Sequence, residues 1–461
     1  MTEEMEKLFE KLTYFFFNRK FTDLRMTVLD MQPIDIAEFM ENNLDEKEQL
    51  VFFRLLPKEF ASDVFVELDP DTQEELVKAF TDKELKAVID DMFLDDTVDI
   101  IEEMPANVVK RILKNSDPEN RKQINELLEY PDDSAGSIMT TEFISLPSSI
   151  TVEQAFDRIR RIGINSETIY TCYVTTNKKK LIGVITVKDL LLADKNETIE
   201  HIMDTGVVAC ETLEDKEQVA RKFSDYDFLA LPVIDKEGCL VGIVTIDDAV
   251  DVIEEEATED IQKMAAIVPT EQEYLKQSVF KIWASRIPWL LLLMVSATFT
   301  GLILNSYESS LSHISTALIA CVPMLMDTGG NAGGQASVTV IRSLALGDIE
   351  FKDIFKVLWK EIRAAFLLAA TLSVACFLKL MLLDNLLFGY KQYTVVLCLV
   401  VSLALFITVI MAKVVGCLLP LFAKKVRLDP AVVASPFITT IVDALSLMTF
   451  CLISISLLTA A

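Results

Sequence analysis

The first 135 residues of this 461-residue chain contain no glycine, although the chain has 14. Without glycine the left-handed turns of tight hairpins are disfavoured, and helices joined by short bends are favoured. Histidine is almost missing too. His201 and His313 are the only two, and the eight cysteines are scattered, so no His/Cys cluster for a soft metal is expected. The cysteines form no CxxC pair, and five of them fall between 321 and 451. That usage reads as free thiols in a reducing cytosol. A Walker loop, a GxSxG elbow and an HExxH helix are absent, and nothing pairs a nucleophile with a base, so an enzyme is not expected. Met1–Glu10 is acidic and lacks the apolar core of a secretory signal.

What is abundant is negative charge, and it is unevenly placed. Residues 1–270 hold 59 of the 70 acidic and 29 of the 43 basic residues, a net of −30, whereas 271–461 carry +3. An acidic soluble half is thus joined to a nearly neutral apolar half. Such a charge disfavours nucleic acid and anionic membrane surfaces as partners and favours cations.

Along residues 1–135, prolines 33, 57, 70, 105 and 118 punctuate apolar positions at helical spacing, such as Leu50, Phe53 and Leu56. Proline after Asp or Ser marks a helix start, so this region reads as an all-α superhelical array of short amphipathic helices. Its acidic pairs, Asp90-Asp91, Asp95-Asp96 and Glu102-Glu103, read locally as solvated helix faces.

Residues 136–250 carry an internal repeat. Ile138-Met139 through Glu153-Gln154 returns 64 residues later as Ile202-Met203 through Glu217-Gln218, and Leu181–Asp189 returns 59 residues later as Leu240–Asp248. Each copy reads as helix, strand, turn, buried strand and helix, an α/β unit. Two such units with Thr-x-x-Asp after the second strand resemble a tandem pair of CBS domains. In that family the Thr and Asp can meet the phosphate and ribose of an adenosine nucleotide, here Thr186/Asp189 and Thr245/Asp248. The same residues also cap helices, and both readings stand. Residues 251–280 follow as a connecting helix, in which Asp251, Glu254, Glu255, Glu256, Glu259 and Asp260 crowd ten positions. So much self-repulsion on one helix suits bound cations.

Residues 281–461 show five apolar segments of spanning length, near 285–306, 312–341, 358–383, 392–422 and 432–459. Lys276, Lys281 and Arg286 precede the first, Lys352, Lys356, Lys360 and Arg363 follow the second, and Lys424, Lys425 and Arg427 follow the fourth. The excess of positive charge on that side places the N-terminal half in the cytoplasm and the C-terminus outside. Four of the chain's glycines crowd into Met326-Asp327-Thr328-Gly329-Gly330-Asn331-Ala332-Gly333-Gly334-Gln335. A seam of small residues between helices would explain the glycines, but not Asp327, Asn331 and Gln335, which suit an ion pathway. Asp443 is the only charged residue of the last segment. It reads either as a pore carboxylate or as half of a buried ion pair with Lys413 or Arg342.

Together these features resemble the MgtE family of magnesium channels. The likeness rests on the α-helical N-domain, Tyr130–Met139, the CBS pair, Glu256-Ala257-Thr258-Glu259-Asp260, five spans, Thr328–Gly333 and Asp443, and it runs over nearly the whole chain. It implies a homodimer in the plasma (inner) membrane with one pore between the subunits. Asp443 would be the pore carboxylate, and Gly329, Gly330 and Asn331 would belong to the second-span motif. The helix around 251–275 would be the plug that closes the pore. Cytosolic Mg2+ would bind between N-domain, CBS pair and plug at Glu217, Asp227, Asp248, Asp251, Glu256, Glu259 and Asp260. N-domain partners would come from Asp90, Asp91, Asp95 and Asp96. Hard, strongly hydrated Mg2+ suits sparse carboxylates that hold the ion through its waters. Two other readings keep the CBS pair: a transporter of Co2+ or Mn2+, and a non-transporting nucleotide-sensing scaffold. The expected architecture is an all-α N-domain (1–135), a tandem CBS pair (136–250), a connecting plug helix (251–280) and a five-helix membrane domain (281–461).

Overall fold

A computed structural model describes residues 3–270, 274–275, 277–433 and 435–459, in two compact units, Met1–Ile253 and Glu254–Ala461. The first unit begins with ten helices, from α1 (Glu3–Phe17) to α10 (Pro118–Leu127). Prolines 33, 70 and 118 open helices at their first turn, and prolines 57 and 105 sit at the position just before one. Each lies where its missing N–H costs nothing. Asp45 and Thr81 close capping boxes with Glu48 and Glu84, fixing two further starts. The third helix packs on the first and fifth, the fifth on the seventh and the seventh on the ninth, while the fourth packs on the sixth. The helices therefore stack in two staggered rows, and Phe39, Phe52 and Phe65 fill the space between them.

The repeat then forms two three-stranded sheets of identical plan. In the first, β1 (Ser145–Pro147) pairs parallel with β2 (Thr171–Thr175), which pairs antiparallel with β3 (Leu181–Thr186). In the second, β4 (Cys210–Glu211), β5 (Ala230–Ile234) and β6 (Leu240–Thr245) repeat that order, and each antiparallel pair has a register shift at the matching place. The expected hairpin turns are present. Lys179 and Gly238 take positive φ at equivalent positions, and the two turns hydrogen-bond each other, Leu181 N to Gly238 O and Leu240 N to Lys179 O. The segment entering the repeat is tied to β6 through Thr140 and Ile243, each N–H donating to the other's carbonyl. One apolar core runs from Phe9 through Val88 and Ile101 to Phe223, Val244 and Val252, so N-domain and second CBS repeat fold as one body.

Helix α15 (Ile246–Met264) is continuous, and the division between the units falls within it. The second unit contains five long helices among its described residues. These are α16 (Val279–Ile314), α17 (Thr316–Ala345), α18 (Ile354–Leu378, continued as a π-helix over Lys379–Leu387), α19 (Val395–Lys425) and α20 (Ser435–Leu458). Four of them, all but α17, are long and apolar enough to cross a membrane. α17 has 30 residues, about 45 Å of helix, which is spanning length. Its polar run between Asp327 and Gln335 makes it less apolar than the others. α19 lies centrally against α17, α18 and α20, while α16 packs on α20 and α17. All eight cysteines are free thiols; Cys239 alone is part-exposed, and the rest are buried.

Candidate functional site

The helical period sorts α17 into two faces. Asp327, Asn331 and Gln335, four residues apart, lie on one exposed face, while Gly329, Gly330, Gly333 and Gly334 are buried. The seam of small residues and the polar strip therefore coexist, on opposite sides of one helix. The close approach is real: a Cβ on Gly416 of α19 would run into the carbonyl of Gly333, and one on Gly330 would come within 2.9 Å of Thr439 Cγ2 of α20. One turn on, Asp443 lies beside Gly330. Its Oδ1 is buried without a hydrogen-bond partner, and Asp327 is near enough to repel it. The sequence also allowed an ion pair with Lys413 or Arg342. Among the described residues Asp443 forms no such pair; Lys413 is buried within α19, and Arg342 lies near Asp260. Asp443 instead lines a cavity of about 280 Å³, with Thr300 and Gly301 of α16, Met326 of α17 and Thr440 of α20.

A second concentration of carboxylates lies where the N-domain meets the CBS pair. Helix α8 (Leu94–Glu103) begins at Phe93, which offers no side-chain cap. A carboxylate from the CBS side takes that place, since the Leu94 N–H donates to Glu142 Oε2 at 3.0 Å. Asp95 and Asp96 in that first turn gain from the helix's positive end, yet Asp95 is buried and Asp96 half-buried among like charges. Burial, then the neighbouring Asp96, pushes Asp95 up to about 7. Burial with Asp248 and Asp247 brings Asp96 to about 7. Burial and the Asp95 charge bring Asp248 to about 7, against the Thr245 hydroxyl, which donates to it at 2.5 Å. The same causes carry half-buried Glu167 to about 8 and raise Asp99, which keeps an edge open to solvent. At neutral pH such a group holds protons that a cation would displace.

The other sequence candidates fall in several places. Asp91 accepts a hydrogen bond from Ser62 at 3.0 Å and faces Asp63, and Asp251 faces Glu67; burial first, then these like charges, raise Asp63 and Glu67. Glu217 opens α14 (Lys216–Tyr226), whereas Asp227 caps its far end at φ 55°. Ten residues of helix, about 15 Å, separate them, so one ion cannot take both. Thr186 and Asp189 form an exposed capping box, its hydroxyl 2.5 Å from the carboxylate. Thr245 likewise donates from its N–H and its hydroxyl to Asp248, but Thr245 is buried and Asp248 faces Asp95 of α8. Glu256, Glu259 and Asp260 belong to the second unit. There Glu259 pairs with Lys263 at 2.8 Å, and burial, then Asp429, raises Asp260.

Sequence reasoning passed over Asp63, Glu67, Asp99, Asp247, Glu142 and Glu167. Asp99 could have been found, since Asp95 and Asp99 are one helical turn apart. Glu142 and Glu167 carry no local signal, because only the folded linker brings them to α8.

Three family profiles match the chain. A divalent cation transporter domain matches residues 322–453, the MgtE intracellular N domain residues 31–133, and CBS domains residues 135–196 and 199–255. The magnesium transporter MgtE of Thermus thermophilus is 35% identical over 431 residues, 93% of each chain. That of Bacillus subtilis is 30% identical over 94% of this chain and 93% of its own. A crystal structure of the soluble part of a magnesium transporter is 32% identical with a TM-score of 0.52, covering 55% of this chain and 99% of that one. A cytosolic domain of the Mg2+ channel MgtE in complex with ATP is 36% identical with a TM-score of 0.48, covering 50% of this chain and 93% of that one.

Proposed function

Since the chain belongs to the MgtE family, whose members are magnesium transporters and not enzymes, we propose that it imports Mg2+ through a pore closed by cytosolic Mg2+. The pore runs between the five spans of two subunits in the plasma membrane, α17 being the fifth, with the N-terminal half in the cytoplasm and the C-terminus outside. The observation that carries this reading is Asp443, a carboxylate oxygen without a partner at the wall of a cavity of about 280 Å³. Six waters occupy about 180 Å³ at about 30 Å³ each, so an octahedrally hydrated ion has room there. Asp443 would hold it through its waters, and the exposed strip of Asp327, Asn331 and Gln335 would continue the hydrophilic path. An unpaired carboxylate at such depth is costly unless it meets an ion.

Closure would come from the acids between N-domain and CBS pair. Asp95, Asp96, Asp99, Asp248 and Glu167 repel one another, and a divalent cation bound among them stabilises the docked arrangement that brings them together. Asp91, Asp251, Glu217 and Asp227 offer further carboxylates on the same unit, and Glu256 and Asp260 offer them on the second half of α15, where Glu259 is already engaged by Lys263. An adenosine nucleotide would favour Thr186/Asp189, because that capping box is exposed while its twin faces α8.

The test is Mg2+ flux into proteoliposomes of the full chain, with Mg2+ varied on the side of the soluble half. Flux should fall as that Mg2+ rises, and Asp443→Ala should reduce it at least about tenfold. Flux carried equally by Co2+ or Mn2+ would point to a broader divalent cation transporter. No flux from correctly inserted protein would favour the nucleotide-sensing scaffold.

A further inference from the structure

The C-terminal end of α15 carries a cation of its own. Lys263 Nζ lies 2.8 Å from a Glu259 carboxylate oxygen and 2.8 Å from Asp429 Oδ2, with about a fifth of its side chain exposed. Glu259 is one turn back on the same helix. Asp429 belongs to the connection between α19 and α20, and its other oxygen is also engaged, since Oδ1 accepts the Ala431 N–H at 2.8 Å. That bond holds the turn Pro430–Val433, which leads into α20. Beside the ion pair, Met264 packs on Ile341 of α17 and on Ala431. Beyond the helix the chain folds back: Gln262 and Thr270 exchange two hydrogen bonds, and Val268 N–H donates to the Ser285 carbonyl of α16 at 2.9 Å. The end of α15 is thereby tied to α16, to α17, which carries the polar strip, and to the connection that leads into α20, which carries Asp443. Lys263 supplies a charged tie to that connection.

An ammonium on Glu259 and Asp429 meets the electrostatic need that a bound divalent cation would otherwise meet. A lysine in the last helical turn also suits the negative end of the helix. We propose that Lys263 is a built-in latch, an intramolecular cation that takes the place of a metal ion between Glu259 and Asp429 and passes the position of α15 to α20. This rests on the gating reading above. In it, acids elsewhere sense Mg2+, while the link at this end is made by the chain itself and persists without divalent cation. The sequence resemblance had put Glu259 among the metal ligands; here its carboxylate is already paired.

The experiment is the flux assay on full-chain Lys263→Met, which keeps the length of the side chain and removes its charge. The Mg2+ concentration that halves the flux should rise about two- to fivefold, the worth of a partly exposed ion pair, with flux at low Mg2+ unchanged. The exchange Lys263→Asp with Asp429→Lys should restore the wild-type value to within about twofold. A Lys263→Met protein that closes at the wild-type concentration overturns the latch. If the wild type itself does not close with Mg2+, the gating reading fails, and the latch is judged by amide hydrogen exchange over residues 429–433. That exchange should quicken in Lys263→Met, and an unchanged rate overturns the proposal.

Discussion

At single positions the membrane unit depends on what is missing as much as on what is present. Gly416 and Gly333 meet backbone to backbone, and an added methyl would have no side chain to push aside, only the Gly333 carbonyl. Gly416→Ala should therefore separate α17 from α19 and cost about 1–3 kcal/mol of stability, the range for overpacking in a close-packed interior. The check is the melting temperature of the full chain in detergent. Ala412→Gly, one turn earlier on α19, should cost about 1–2 kcal/mol, a helical glycine together with one buried methyl lost. Asp443 was legible in the sequence because a lone carboxylate among apolar residues is costly wherever it ends up. Its surroundings were not, since the close approach of Gly330 and Thr439 beside it comes from how two helices cross.

At the scale of one element, α8 concentrates the argument. Its first two turns carry Asp95, Asp96 and Asp99, capped by Glu142 from outside the N-domain. In the docked arrangement burial and then mutual repulsion push Asp95, Asp96 and Asp248 up to about 7 and raise Asp99 as well. Released into water they would titrate near the ordinary carboxylate value of about 4. Because the folded values are raised, the folded form binds more protons between these limits, and its stability falls as pH rises through that window. The contribution is fully present at about pH 4, is lost by about pH 8 and is level above. In chelator, the melting temperature of the full chain should fall between pH 5 and 8 more steeply than that of Asp95→Asn/Asp248→Asn. With Mg2+ present the fall should be largely removed, because the ion takes up the deprotonated form. A slope unaffected by the double substitution would place the titrating groups elsewhere. The acidic character of α8 was visible in the sequence, but its depth was not. Asp90-Asp91 and Asp95-Asp96 read alike as solvated pairs, and only the burial of Leu94, Val98 and Ile101 in the core shared with the CBS side distinguishes the second.

For the whole molecule the governing fact is the division of charge, −30 over residues 1–270 against +3 over the rest. Monovalent salt at about 0.15 M screens charges more than about 8 Å apart, but it reaches buried neighbours weakly. Sodium chloride at matched ionic strength should therefore not replace Mg2+ in protecting the segment between α10 and β1 from proteolysis, as followed by fragment mass. Equal protection by the two salts would mean general screening and no bound ion. At this scale much was readable without coordinates: the helical N-domain from its prolines and missing glycines, the α/β pair from its repeat, the apolar helices from their length. α17 shows where reading by apolarity weakens. The polar residues and glycines that make it a candidate ion path also make it the least lipid-like of the five long helices.

The burial of seven of the eight cysteines has a use in the laboratory. Cys239, in the hairpin turn of the second CBS repeat, is the one thiol that solvent reaches. A maleimide dye added to the native protein should attach once per chain, seen as a single mass increment, without any cysteine being engineered away. The unmodified sequence is then its own singly labelled probe, with the dye on the acidic turn formed by Asp235 and Glu237.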